Sequence, residues 1–236
     1  MIEQNFAEGG CILIDKPTGW TSFDVVNKLR YLLKLKKIGH AGTLDPLATG
    51  LLIICTGKWT KRIEYYQSED KEYTGIITLG FTTPSYDLET APDAQYPVDH
   101  ITTESILQVA QSFIGVQLQN PPLYSAIKQD GKKLYELARK GKTTEIKPRQ
   151  VEIMEFEITQ IVMPEVHFRL KCSKGTYVRS LAFDFGQRLN SGACLTALRR
   201  TKSGTLDVQD ALTLEAFIEG YKHLHALSEG DIKTSF

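Results

Sequence analysis

The chain has 236 residues, 42% of them hydrophobic, and carries 28 basic and 28 acidic residues for a formal net charge of zero. That is enough chain for one large domain, or a domain with a small appendage, and no uninterrupted apolar run is long enough to cross a bilayer as a helix. Four scattered cysteines (Cys11, Cys55, Cys172, Cys194) form no Cys-x-x-Cys pair, which speaks for reduced thiols and against a structural zinc.

The first ten residues, MIEQNFAEGG, lack the basic and apolar regions of a secretory signal, so a cytoplasmic location is expected. Cys11 to Asp15 reads as a short buried strand ending at Lys16-Pro17. Thr21 or Ser22 then caps a helix with Val25, Val26, Leu29, Leu32 and Leu33 on one face. The glycine-rich segment from Gly39 to Gly50 reads as a loop, Leu51 to Cys55 as a central strand, and Lys71 to Gly80 as an alternating strand. Thr102 or Thr103 caps a second amphipathic helix that turns Ile106, Val109, Ala110, Phe113 and Ile114 inward and stops at Gly115.

Lys132 to Lys140 reads as a short helix striped by Leu134, Leu137 and Ala138. Val151–Ile161 and Glu165–Ser173 read as a strand pair turned at Met163-Pro164. A helix follows from about Val178 to Leu189, then short strands near Leu198 and Leu206 and a terminal helix capped by Thr213. Strands and helices mix without a strict βαβ rhythm, so the expected class is α+β. His223 and His225 form a lone His-x-His with no cysteine or carboxylate cluster beside it, and read as a surface helix end.

Zero net charge hides an uneven distribution. From Pro121 to Arg149 there are eight basic residues against three acids, leaving +5, while Pro84 to Asn120 holds five acids and no Lys or Arg. A local basic patch is what phosphate neutralisation needs, and a screened acidic patch elsewhere opposes it little. On charge alone, Lys132 to Lys142 reads equally well as the wet face of a helix.

The segment Gly39-His40-Ala41-Gly42-Thr43-Leu44-Asp45-Pro46-Leu47-Ala48-Thr49-Gly50 holds a single carboxylate, Asp45, against a proline that pushes it into an extended conformation. Asp-Pro alone is a common turn dipeptide. Its surroundings say more: GHAGTLDPLATG resembles the aspartate motif of the TruB family of tRNA pseudouridine synthases. Five further blocks match that family in order. They are Asp15-Lys16-Pro17-Thr18-Gly19-Trp20-Thr21-Ser22, Lys71-Glu72-Tyr73, Pro122 to Lys128, Cys172 to Leu181, and Leu198-Arg199-Arg200.

The resemblance implies a pseudouridine synthase fold, with a mixed, largely antiparallel central sheet flanked by helices. It implies a synthase domain over residues 1–210 with an RNA-gripping insertion at about 121–149. The stretch 211–236 is then a short helical extension, too short for the PUA domain of better-known members. It implies isomerisation of uridine 55 in the T loop of tRNA, without cofactor or metal. Asp45 acts at the ribose, Arg179 pairs with Asp45, and Tyr73 stacks on the target base. His40 takes the space of displaced bases, and Tyr177 and Leu198 line the uracil pocket. Lys16 and Lys61 lie near the site or the RNA backbone, each with a solvated-surface alternative. Lys128, Lys132, Lys133, Arg139, Lys140 and Lys142 grip the stem-loop. A monomer without an obligate protein partner is expected. Two other readings stay open: a tRNA-binding folding protein, and a synthase acting on another RNA.

Overall fold

A computed structural model describes residues 6–124, 128, 129, 132, 133 and 147–233; at 128, 129, 132, 133 and 225–233 it is the backbone alone that is described. In chain order the elements are β1 (Gly9–Lys16), α1 (Ser22–Leu33), β2 (Ile38–His40), β3 (Thr49–Gly57), a 3₁₀ turn (Lys58–Arg62), α2 (Ile63–Ser68), β4 (Lys71–Leu79), β5 (Phe81–Thr82), β6 (Ala94–Gln95), α3 (Thr103–Gln111) and β7 (Gly115–Gln119). Then come β8 (Lys128–Gln129), β9 (Lys132–Lys133), β10 (Arg149–Val162), β11 (Glu165–Cys172), α4 (Val178–Arg188), β12 (Ala193–Ser203), β13 (Leu206–Asp207), β14 (Leu212–Thr213) and α5 (Leu214–Lys233). Among the described residues, no helix is long and apolar enough to cross a membrane.

The chain divides into two compact units, one of residues 1–69 with 199–236 and one of residues 70–198. In the first, β1 pairs antiparallel with β3 from Gly9↔Gly57 to Lys16↔Gly50, and β14 joins the other edge of β1 in parallel. The last part of β12 runs parallel to β3, with Arg200 beside Gly50. Ala41, Leu51, Ile53 and Cys55 form a buried cluster against Cys11, Leu13, Trp59 and Ile63. Helix α1 starts as its sequence dictates. Thr21 caps it, accepting from the Asp24 amide, while the Asp24 carboxylate accepts from the Thr21 amide. Such a box contributes about 1 kcal/mol.

In the second unit the first part of β12 neighbours β4, followed in order by β11, β10 and β7. Val166, Phe168, Leu170 and Cys172 are buried on β11, the alternation read from the sequence. Phe113, Phe156, Phe168 and Phe185 pack edge to face or offset-stacked around Phe156, with ring centroids 5.7–6.3 Å apart. Aromatic pairs at such spacings contribute about 0.5–1.5 kcal/mol beyond their burial.

Three expectations need correction. Helix α3 stops at Gln111, not at Gly115, and Ile114 is exposed; Gly115, at φ 103°, opens the strand β7 instead. The segment Gly39–Gly50 is not all loop, because Gly39 and His40 pair with Cys55 and Ile54 of β3. Lys132 and Lys133 lie on a strand paired with Lys128–Gln129, not on a helix. The Asp130-Gly131 dipeptide between those strands is a strong hairpin signal that the helical stripe masked. The rest of that expected helix, 134–140, lies outside the described residues.

Candidate active site

Asp45 sits half-buried in the turn between β2 and β3, and the surrounding chain holds that turn from three sides. The buried Ser22 hydroxyl, at the start of α1, accepts from the Leu44 amide (2.8 Å) and donates to the Leu44 carbonyl (3.1 Å). Lys16 is fully buried, and its Nζ donates to the carbonyls of Pro17 (2.9 Å), Trp20 (2.6 Å) and Pro46 (3.2 Å). That removes the solvated-surface reading of Lys16 and makes it an anchor of the Asp45-Pro46 bend. Arg200, also fully buried, donates from Nε to the Leu51 carbonyl (2.7 Å) and from Nη2 to the Gly42 carbonyl (3.2 Å). The two ends of the turn are thereby held by one guanidinium.

Two glycines make this closeness possible. Gly42 and Gly50 have φ of 94° and 98°, a left-handed backbone region that L side chains rarely adopt. A Cβ on Gly50 would lie 2.3 Å from the Arg200 carbonyl oxygen. Beside Arg200, Arg199 forms a two-pronged ion pair with Asp15 at 2.9 and 2.6 Å.

The electrostatics follow from crowding cations beneath one carboxylate. Burial pushes the Lys16 ammonium down to about 8; Asp45 and Asp24 oppose the shift, and Arg200 adds to it. Burial, with Arg200 second, holds His40 below the usual imidazole range against a hydrogen bond with the Gly42 backbone. A ring so placed is uncharged at neutral pH. His40 ends β2, five residues before Asp45. Lys61 is exposed on the 3₁₀ turn.

The second unit carries the other expected site residues. Tyr73 is buried on β4, opposite Leu170. Arg179 is buried in the first turn of α4, where Nη1 donates to the Ser85 carbonyl (3.1 Å) and Nη2 to the Tyr124 carbonyl (2.9 Å). Within this unit Arg179 also forms an ion pair with Asp87 at 3.6 Å, a partner the sequence reading missed inside its acidic block. Tyr177 is fixed through its backbone: the Gln119 side chain accepts from its amide (2.8 Å) and donates to its carbonyl (3.0 Å). Leu198 is half-buried on β12.

Lys128, Lys132 and Lys133 fall on the β8–β9 ribbon, but their side chains lie outside the described residues, as do Arg139, Lys140 and Lys142 altogether. Among the described residues, no group of three His, Cys, Asp or Glu side chains is placed to hold a metal ion. Ser22 and Arg200 were inside matched blocks but had no role assigned. A hydroxyl that bridges an amide and a carbonyl twenty-two residues away leaves no local mark in the sequence.

Residues 30–178 match the model of the TruB family pseudouridylate synthase N-terminal domain, and residues 179–229 match the tRNA pseudouridylate synthase B C-terminal domain. The chain is 55% identical over 226 residues to tRNA pseudouridine synthase B of Flavobacterium johnsoniae, covering 93% of this chain and 99% of that protein. It is 53% identical over 221 residues to the protein of the same name from Phocaeicola vulgatus, covering 91% and 94%. Among solved structures, a chain of a Cbf5–Nop10–Gar1 complex superposes with a TM-score of 0.73 at 30% identity over 94% of this chain. This chain spans 56% of the length of that solved chain. The likeness establishes an α+β pseudouridine synthase fold. Identity above one half across more than nine-tenths of both sequences leads to one conclusion: the chain belongs to the TruB family of pseudouridylate synthases, and is an isomerase.

Proposed function

We propose that the chain converts uridine 55 in the T loop of tRNA to pseudouridine, with Asp45 acting at the ribose of the flipped nucleotide. The observation that carries this is the turn that holds Asp45, pinned at Leu44 by Ser22, at Pro46 by Lys16, and at both ends by Arg200. A carboxylate that must meet one ribose carbon gains most from being held before the substrate arrives. The names of the relatives, tRNA pseudouridine synthase B, support tRNA as the substrate.

In the reaction the N1–C1′ bond breaks, the uracil turns, and a C5–C1′ bond forms. C5 gives up its proton and N1 gains one, so no redox partner is consumed. The aspartate serves as nucleophile at C1′ or as the base that forms a glycal. Arg179 pairs with Asp45 and favours its charged form. Tyr73 stacks on the extruded base, a contact of about 1–3 kcal/mol. Tyr177 and Leu198 line the uracil pocket, and the uncharged His40 fills the space the flipped nucleotide vacates. The basic residues from Lys128 to Lys142 grip the stem-loop. The catalytic unit is a monomer working in the cytoplasm, where its substrate is.

An unmodified T-arm transcript tests this. The wild type should form pseudouridine at the expected position, and Asp45→Asn should lose the activity by at least about a thousandfold, a transition-state interaction being removed. No product from the wild type, or full product from Asp45→Asn, would overturn it.

A further inference from the structure

The first unit contains a cavity of about 540 Å³ lined by Ala7, Lys34, Leu35, Lys36, Lys37, Gly57, Lys58, Thr60 and Lys61. Five of these nine residues are lysines, all exposed, and no described carboxylate lines the cavity. The ion pairs Asp15–Arg199 and Asp207–Lys202 of the same unit use none of them. The lysines come from two separate stretches that backbone bonds bring together. The Gly57 amide donates to the Lys37 carbonyl (2.9 Å), and the Lys58 amide to the Glu8 carbonyl (3.1 Å). Lys34 takes the left-handed position that ends α1, so the chain reverses there and turns Lys34–Lys37 toward the end of β3.

We propose that this cavity is a phosphate-binding cradle for the backbone of the RNA whose uridine reaches Asp45, an inference that rests on the reading of the chain as an RNA-modifying synthase. Size and lining decide the ligand class. The volume is that of an ordinary ligand pocket, but such pockets carry few charges, whereas five of the nine residues around this one are cationic. Five like charges without a carboxylate repel one another until a polyanion neutralises them, and releasing its counterions drives the binding. Position decides which polyanion. Lys37 directly precedes β2, and His40 ends it, so the cradle lies about 10 Å along one three-residue strand from His40; its Gly57 rim is about 24 Å along β3 from Gly50, the end at which the Asp45 turn joins β3. An RNA whose uridine reaches Asp45 therefore carries phosphates several nucleotides along its backbone past these ammonium groups. Among the five, Lys61 is expected near the site or the RNA backbone from the family resemblance; Lys34, Lys36, Lys37 and Lys58 are assigned by the cavity.

The quadruple variant Lys34→Gln, Lys36→Gln, Lys37→Gln and Lys58→Gln tests the assignment, since exposed lysines can be replaced without disturbing the core. Binding of an unmodified T-arm stem-loop RNA is measured across a salt series, alongside pseudouridine formation and thermal unfolding. The expected result is a Kd weakened at least about tenfold near ~0.15 M salt, with the slope of log Kd against log salt reduced by roughly 0.7–0.9 for each phosphate that the variant leaves without a lysine. KM should rise while kcat at saturating RNA and the unfolding temperature stay at wild-type values. An unchanged Kd and salt slope, in a variant compared with an active wild type, would overturn the cradle and leave the synthase reading intact. A wild type that binds with a slope the variant lowers, yet forms no pseudouridine, would support the cradle and overturn the synthase reading alone.

Discussion

The residue on which the site turns is Lys16, because a buried ammonium spends its three protons on three backbone carbonyls. Its acid dissociation moves from the ordinary 10.5 down to about 8, with burial the leading cause. Between those values the unfolded chain holds a proton that the folded chain has released. Stability therefore rises with pH across that window, by up to about 3 kcal/mol, and falls as pH drops back through 8. The groups that set this are Asp45 and Asp24, which favour the charged form, and Arg200, which opposes it. Denaturant unfolding at several pH values should show this slope in the wild type and lose it in Lys16→Met. An identical slope in both proteins would contradict the assignment. The sequence showed Lys16 in a family motif but could not separate a surface lysine from a buried one. Burial of a lysine depends on three carbonyls supplied by the fold, one of them thirty residues away. The bend that holds Asp45, by contrast, was legible from its glycine-flanked context, whereas the Asp87 partner of Arg179 lay unremarked in an acidic run.

At the scale of elements, the parallel contact of β12 with β3 leaves no room for a side chain at Gly50. A Cβ there would meet the Arg200 carbonyl at 2.3 Å on a backbone already at φ 98°. Gly50→Ala should cost at least about 3 kcal/mol, combining left-handed strain with a backbone clash. Gly19→Ala makes the matched control: its φ is 80°, yet nothing lies within 4 Å of the added Cβ, so strain alone applies, about 1–2 kcal/mol. Urea unfolding of the two variants separates the effects, and equal losses would remove the clash from the explanation. Most elements were readable because their periods were strong. The β1 strand, the Thr21 cap, the β10–β11 pair and the inward face of α4 all appear where the pattern put them. Two failed for a shared reason. In both, an apolar stripe at helical spacing runs on where no helix does: past Gln111 to Ile114, and over the β9 strand at Lys132–Lys133.

For the molecule as a whole, zero net charge is a poor guide to its partner. The Lys34–Lys61 cavity adds a second cationic surface to the +5 stretch found in the sequence, and its lysines were invisible there because twenty residues separate its two halves. RNA binding responds to the charges it touches, not to the total, beyond a Debye length of about 8 Å at physiological salt. The wild-type Kd for the T-arm RNA should therefore rise steeply with salt, with a log–log slope of magnitude about 3 or more, as for several neutralised phosphates. A slope near zero, expected if only net charge mattered, would contradict this. Fold class was legible from mixed strands and helices, and the family from six ordered motifs. The pairing of distant segments into one cavity was not, since no local pattern encodes it.

The unit that carries Asp45 is built from the first 69 residues and the last 38. Its aspartate turn is held partly by Arg200, and β1 gains its parallel neighbour from residues 212–213. A ribosome delivers these pieces far apart in time. At about 5–20 residues per second, Arg200 follows Asp45 by roughly 8–30 seconds. Throughout that interval the nascent chain already bears Asp45 but lacks the guanidinium that closes the turn around it. The turn around Asp45 is thus closed only after the stretch that carries Arg200 has been made: a truncated product of interrupted synthesis holds Asp45 in a turn without that clamp.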